Sequence, residues 1–201
     1  MTGNAPRSKT RPQRWRRLAT GLGLATALAA LTAHGAGTES VTFGGFRAPV
    51  PKAWIQETPS SSMRTAQYQV PGASAKDPAQ FVVFYFGPQG GGSVEDNIAR
   101  WASQFRSADG SPVSPTLEKS QRGEFPVTVA TLRGKYARGV GMGQQGDALP
   151  GQAMVAGIVE TKRGNLFIQL YGPEETVEAN RSGFDAFISG LSVEAAPPSP
   201  H

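Results

Sequence analysis

The sequence contains no cysteine, and its two histidines stand at His34 and at the last position, His201. Without cysteine there is neither a disulfide framework nor a thiol nucleophile. Without a histidine between these two positions, Ser-His-Asp and Cys-His catalysis and His-ligated zinc sites are excluded. The fold must therefore be held together by its core, and an active site would have to rely on carboxylates.

Acidic residues are missing from the first 35 positions, which carry six basic residues. These precede an uncharged stretch rich in Leu and Ala at residues 18–33, shorter than the roughly 20 residues that span a bilayer. This order is typical of a secretory signal peptide. We predict that residues 1–35 are cleaved before Ala36, which gives a periplasmic or extracellular product with no permanent membrane anchor. Arg16-Arg17 keeps twin-arginine export as an alternative to general secretion.

Clusters of basic residues are absent after the predicted signal. Because six of the 20 Lys and Arg precede Ala36, the rest of the chain has 14 against 15 Asp and Glu, a net charge of −1. Binding to nucleic acids needs a basic face that displaces counterions, so we expect no nucleic-acid partner. We predict one domain over residues 36–194, long enough to bury a core, and a disordered tail over residues 195–201.

Apolar runs separated by turn residues predict strands in the first part of the domain. Residues 41–46 form one short strand, and the prolines at 49 and 51 turn the chain into a second. Residues 63–70 have the pattern of a half-buried strand. Residues 81–86 are six apolar residues in a row, which predicts a central strand covered on both faces.

A helix is predicted to begin at Ser93, an N-cap residue with Glu95 and Asp96 in the first turn after it. Its apolar stripe extends this helix to an end near residues 107–110. We place Trp101 at the centre of the stripe, as a core residue that faces the strand at residues 81–86. The residues of the stripe are Ile98, Trp101, Ala102 and Phe105.

The second half of the chain predicts four more strands and a closing helix. Residues 113–137 hold two strands, and residues 139–151, rich in glycine, are expected to form a mobile loop. Residues 154–159 and 166–171 form a pair joined by a hairpin-type turn. Pro173 opens the helix at its favoured first position. The apolar stripe of this helix comprises Val177, Phe184, Phe187, Ile188 and Leu191.

This order of elements predicts an α+β fold, with an antiparallel or mixed β-sheet and two main helices packed on it. The order of elements and the turn residues between them resemble the PsbP-like fold, an α/β/α sandwich. This fold is shared by the extrinsic photosystem II protein, DcrB-type envelope proteins and a nuclear-import factor that binds Ran. The resemblance rests on the Pro-x-x-Trp opening at residues 51–54, the helix at residues 97–105 and the closing helix and strand at residues 183–193. The segment Arg100–Phe105 is also similar to an Arg-Trp-x-x-Gln-Phe helix in a class of exported bacterial proteins. The resemblance implies a binding or assembly module rather than an enzyme.

A glycine-rich loop at residues 87–92 lies between the predicted strand and the first helix. Its backbone amides could receive an anion, but the acids at the helix start and the lack of a Gly-Lys-Ser/Thr motif favour a sharp turn. We expect no cofactor and no metal site. A partner or ligand surface on this loop and the following helix is the candidate site, and its residues are Gly90, Gly91, Asn97, Arg100 and Gln104.

Three functions are compatible with these patterns. The first is a non-enzymatic exported module that binds another envelope protein, which an extended apolar patch would favour. The second is a carrier of a small apolar or lipid-like ligand, which an internal cavity lined by Phe and Trp would favour. The third is a carboxylate-based hydrolase, which needs two converging carboxylates. The acidic pairs at residues 95–96 and 174–175, with Glu178, lie in first helical turns, where the helix dipole stabilises them.

Overall fold

An antiparallel sheet of eight strands forms the centre of the protein in its computed structural model, which describes residues 37–74, 76–137 and 148–194. A second sheet has three strands. The strands are β1 (Thr38–Phe43), β2 (Phe46–Pro51), β3 (Ile55–Gln56), β4 (Arg64–Val70), β5 (Ala79–Tyr85), β6 (Phe105–Arg106), β7 (Thr116–Arg122), β8 (Phe125–Tyr136), β9 (Leu149–Val159), β10 (Leu166–Pro173) and β11 (Ser192–Val193). The helices are α1 (Val94–Ala102), α2 (Glu174–Ala179) and α3 (Arg181–Ser189).

The strands of the large sheet run in the order β3-β4-β5-β10-β9-β8-β6, and β7 pairs with β8 on the same side as β6. The small sheet has the order β1-β2-β11. Every strand pair is antiparallel. The predicted α+β class is therefore confirmed. The predicted strand pair at residues 113–137 and the hairpin of residues 154–159 and 166–171 are confirmed as well.

Two clusters of buried side chains cover the two faces of the large sheet. On the first face, Phe81 and Val83 pack with Phe46 of the small sheet and with Val177 and Phe187 of α2 and α3. The second face is covered mainly by α1. Its cluster contains Val82, Trp101, Phe105, Leu132, Met154, Ile158 and Phe167. The protein is thus an α/β/α sandwich of three layers. Helices α2 and α3 with the small sheet form one outer layer, the large sheet forms the middle layer, and α1 forms the other outer layer.

The start of α1 follows its prediction, but its end does not. Ser93 is the N-cap, and its hydroxyl accepts a hydrogen bond from the backbone amide of Asp96 at 3.0 Å. The helix stops at Ala102, before Phe105, which pairs with Tyr136 in the short strand β6. The predicted helical stripe was therefore too long, because pairing with β8 holds Phe105 in an extended backbone. Trp101 is buried as expected, but α1 packs on β8 rather than on β5 alone.

The closing helix is divided into α2 and α3 at Asn180, so the structure has three helices where two were predicted. Pro173 ends β10 and is the N-cap of α2 rather than its first residue. The Asn180 side chain accepts a hydrogen bond from Trp54 Nε1 at 3.0 Å. It donates to the backbone carbonyls of Thr176 and Pro71, at 2.9 and 3.2 Å. These contacts hold the break between the helices against the loop before β3 and the end of β4.

The remaining differences concern loops. The first turn lies at Gly44-Gly45, both with positive φ, and the prolines at 49 and 51 are part of β2. The predicted loop at residues 139–151 is wrong at its end, because β9 begins at Leu149. Residues 139–147 of this loop, the predicted signal and the predicted tail lie outside the described residues. Within the described part of the chain, none of the helices is long and apolar enough to cross a bilayer.

Candidate functional site: an aromatic surface and a glycine-rich loop

The end of β5 brings aromatic side chains to the surface. Residues 81–83 are fully buried, but Phe84 and Tyr85 are half-buried and Phe86, just after the strand, is 41% exposed. The prediction that this strand is covered on both faces is thus right for its first half and wrong for its second. The run of six apolar residues is longer than the part of the strand that the layers on the two faces bury. Sequence analysis missed this sign that the end of the run is exposed.

Three side chains form what we call the aromatic surface, namely Arg64, Phe84 and Phe86. The rings of Phe84 and Phe86 are stacked, with centroids 6.2 Å apart and an interplanar angle of 13°. The guanidinium carbon of Arg64 lies 5.9 Å from the centroid of the Phe84 ring, a cation–π contact. The surface therefore joins exposed apolar area to one positive charge.

The glycine-rich loop packs directly on Phe86. A Cβ on Gly90 would lie 2.4 Å from Phe86 Cβ, and a Cβ on Gly91 would lie 2.2 Å from Phe167 Cε2. Gly91 also has a φ of 94°, in the left-handed region that disfavours side chains. Phe86 and Phe167 are themselves in contact, with centroids 6.0 Å apart. Glycine is needed here so that the backbone can approach the rings.

Asn97 fixes this loop to α1. Its side chain is 1% exposed and donates to the backbone carbonyls of Gly91 and Ser93, at 2.7 and 2.8 Å. Its Oδ1 accepts a hydrogen bond from the exposed Arg100 guanidinium. Asn97 thus holds the loop and orients Arg100, and its own side chain is not exposed to a partner.

The structure brings together four of the five predicted site residues. Gly90, Gly91, Asn97 and Arg100 form one connected unit beside the aromatic surface. Gln104 lies apart, after the end of α1, where its backbone carbonyl accepts from Ala137 at 3.0 Å. Binding at these residues stays a prediction.

A cleft of about 450 Å³ opens at the other end of β5 and β10. It combines tyrosine, proline and leucine side chains with two amides and one carboxylate, Asp77. The Gln80 amide also accepts from Gln67 at 3.2 Å and donates to Glu57 at 3.3 Å. The lining residues are Lys76, Asp77, Pro78, Gln80, Tyr136, Leu149, Gln152, Tyr171, Gly172 and Pro173.

The acidic clusters of the sequence have structural partners. Asp96 accepts a hydrogen bond from the Ser93 hydroxyl at 2.7 Å. Glu174 and Glu178 both bind Arg133, the first at 3.0 Å. Among the residues that the structure describes, no three acidic or histidine side chains lie close enough together to hold a metal ion.

No protein-family model and no curated protein sequence matches the chain. Its fold has solved counterparts. The protein is similar to PsbP (CyanoP) of Synechocystis sp. PCC 6803, with a TM-score of 0.50 and 14% identity over 83% of this chain and 98% of that one. It is also similar to LpqN of Mycobacterium tuberculosis, which is involved in cell envelope biogenesis, with a TM-score of 0.48 and 13% identity over 81% and 88% of the two chains. The fold is therefore PsbP-like, an α+β sandwich.

Proposed function

We propose that the protein is a non-enzymatic exported protein that binds another protein of the envelope or extracellular space through the aromatic surface. The observation that supports this proposal most directly is the stacked pair Phe84 and Phe86, with Phe86 exposed at the edge of a buried core. Aromatic residues and Arg are among the types enriched where proteins bind one another. The aromatic surface combines both.

Two arginines at or beside this surface are held by side-chain contacts, which favours binding. Arg64 is held by two contacts, the Phe84 ring and Gln67 Oε1, to which it donates at 2.7 Å. Arg100 is oriented by Asn97 on the opposite side of the glycine-rich loop. Side chains that are already ordered lose less conformational entropy on binding. A partner with an apolar anchor and acidic neighbours would complement this surface.

Binding is tested by replacing Phe86 with Ala and using the protein as bait in an envelope extract. We expect Phe86→Ala to lose a partner that the unchanged protein captures. Val193→Ala is the matched control, because Val193 is also 41% exposed but lies on the small sheet. The proposal is wrong if Phe86→Ala retains every partner at the level of the control.

Export is tested by the N-terminus of the product. Mass spectrometry of the periplasmic or secreted protein should give a chain that begins near Ala36. An intact N-terminus in the membrane fraction would contradict the cleavage and the absence of a membrane anchor.

A second candidate function is that of a carrier of a small apolar or lipid-like ligand in the cleft, whose lining has tyrosine and leucine in place of the expected Phe and Trp. Leu149 at its rim is 57% exposed, and Tyr171 and Tyr136 supply aromatic walls. Its volume falls within the range of about 300–1,000 Å³ typical of ligand sites. Binding of a fluorescent fatty acid that Leu149→Arg abolishes and Phe86→Ala leaves unchanged would favour this candidate over the first.

A further inference from the structure

The two edges of the eight-stranded sheet are built differently. One edge is β3, a strand of two residues followed by Pro59, next to a strand whose register shifts between Arg64 and Ala66. The other edge is β7, seven residues that pair with β8 without a register shift. Short strands, prolines and bulges stop a sheet edge from pairing with another chain. The β3 edge has these devices. The strand β7 has none of the three, but it carries Glu118, Lys119 and Arg122, and charges on an edge strand oppose pairing with a partner whose charges are not complementary.

The side chains of β7 do not explain why it is an ordered strand. Six of its seven residues are exposed, and the seventh, Ser120, is half-buried. Leu117 is 47% exposed although it is the most apolar residue of the strand. Of the strands in the described ranges, only β8 pairs with β7, so no described strand occupies the outer row of its backbone donors and acceptors.

The charges of β7 favour one register for pairing with an identical strand. In an antiparallel pair centred on Ser120, Glu118 of each copy lies opposite Arg122 of the other, on the same face of the sheet. Opposite charges at facing positions stabilise a strand pair, and like charges destabilise it. A pair centred on Lys119 would place two ammonium groups opposite each other, and one centred on Glu118 would place two carboxylates opposite each other. Only the register centred on Ser120 gives two complementary charge pairs.

We propose that the protein self-associates through β7, as a weak symmetric dimer in which two antiparallel β7 strands join the large sheets of two copies in the register centred on Ser120. A two-fold symmetric contact of this kind is self-complementary and closes after two copies. The contact uses mainly backbone hydrogen bonds, so it belongs to the small, transient class of interfaces. It is separate from the aromatic surface, and each can fail without the other.

Glu118 also has a partner within its own chain. Its carboxylate lies 3.6 Å from the Arg181 guanidinium, an ion pair in which Glu118 is 60% exposed. This long, exposed pair leaves the carboxylate able to accept from a second cation. Arg181→Gln is therefore the matched control, because it removes the internal ion pair and leaves the pairing of Glu118 with Arg122 in place.

The test is sedimentation velocity of the purified protein from micromolar to near-millimolar concentrations. Glu118→Arg alone and Arg122→Glu alone each place like charges at two facing positions, and each should weaken the dimer by roughly tenfold or more. Mixed together, the two variants should recover the affinity of the unchanged protein, because each introduced charge then faces its opposite. The control Arg181→Gln should dimerise normally.

The recovery on mixing depends on the antiparallel register and not on the stability of either variant. A protein that remains monomeric over this range contradicts the proposal. So does a dimer that neither variant weakens, or a mixture that associates no better than the single variants. Pairing of β7 with an extended segment of a different protein, without self-association, would also overturn it.

Discussion

The two faces of the large sheet are covered to different extents, and the difference locates the candidate site. On the first face, two helices and the small sheet enclose the core. The Phe187 ring contacts the rings of Phe43 and Phe81, with centroids 5.4 and 4.9 Å apart. The second face is covered mainly by α1, a helix of nine residues. Phe84 and Phe86 remain partly uncovered at its margin. Because α1 is smaller than the face of the sheet that it covers, an apolar surface stays exposed at the margin while the core beneath α1 is buried.

The largest expected effect tests whether the side chains packed between α1 and the large sheet form a core that stabilises the fold. Trp101→Ala should lower the free energy of unfolding by about 3–5 kcal/mol, as large aromatic deletions in cores do, because Trp101 is 1% exposed. Phe187→Ala on the first face should cost a similar amount. Denaturant unfolding measures both. A loss below about 1 kcal/mol for Trp101→Ala would mean that α1 contributes little to the fold.

Trp101→Phe sharpens this result. The indole Nε1 of Trp101 is buried with no hydrogen-bond partner in the described part of the chain. Phenylalanine keeps most of the buried ring and removes an N–H whose unpaired burial costs about 1–3 kcal/mol, so the phenylalanine variant should lose little stability. A loss close to that of the alanine variant would indicate that the N–H makes a hydrogen bond that phenylalanine cannot replace.

A smaller effect is expected at the margin of the second face. Gly91→Ala should destabilise by about 2–4 kcal/mol, because its Cβ would overlap the Phe167 ring and its φ is positive. Gly87→Ala is the matched control, with a φ of 79° but nothing within 4 Å of the added Cβ, and should cost only about 1–2 kcal/mol. Thermal unfolding compares them. Equal losses would argue that the loop does not pack on the rings.

On the first face, the ion pairs of Arg133 should matter little. Arg133 is 47% exposed, and its partners Glu174 and Glu178 are exposed to a similar extent. Because exposed ion pairs are screened by solvent, Arg133→Gln should cost about 1 kcal/mol or less. Denaturant unfolding at low and high salt checks this. A larger loss that salt does not reduce would indicate that α2 depends on this contact.

The smallest effect concerns the turn after β6. The Ser107 hydroxyl and then the Ser111 backbone amide donate to Asp109 and lower the pKa of its carboxyl to about 2. A carboxyl whose pKa is lowered in the folded state stabilises the fold above its ordinary pKa of 3.8, and this contribution is lost as the pH falls through about 2. An NMR titration of the carboxyl carbon should show the low pKa, and Ser107→Ala should raise it.

Local patterns predicted the elements whose signals are local. Ser93 with its acidic neighbours gave the start of α1, and the alternating or continuous apolar runs gave β4, β5, β9 and β10. Phe105 continued the helical spacing, yet it is extended because Tyr136, 31 positions later, pairs with it. The break at Asn180 has no proline, and its only local sign is that the stripe lacks an apolar residue between Val177 and Phe184. The contacts that hold the break come from distant residues, Trp54 and Pro71.

The residues of the candidate site were likewise predictable only where their signal was local. The glycine-rich loop and Arg100 were visible as a loop between strand and helix, so four of its members could be chosen from the sequence. Phe86 and Arg64 were not chosen, since exposure depends on where α1 stops covering the sheet. That limit is set by tertiary packing, which no spacing of residues records.

The contacts of Asn180 have a consequence for producing the protein in a eukaryotic host. Asn180-Arg181-Ser182 is an acceptor sequence for N-linked glycosylation. In the folded protein the acceptor nitrogen, Nδ2, already donates to two backbone carbonyls. A glycan added before folding would displace these bonds and separate α2 from the loop beside Trp54. Secretion from such a host therefore sets oligosaccharide transfer in competition with folding, and Ser182→Ala removes the competition.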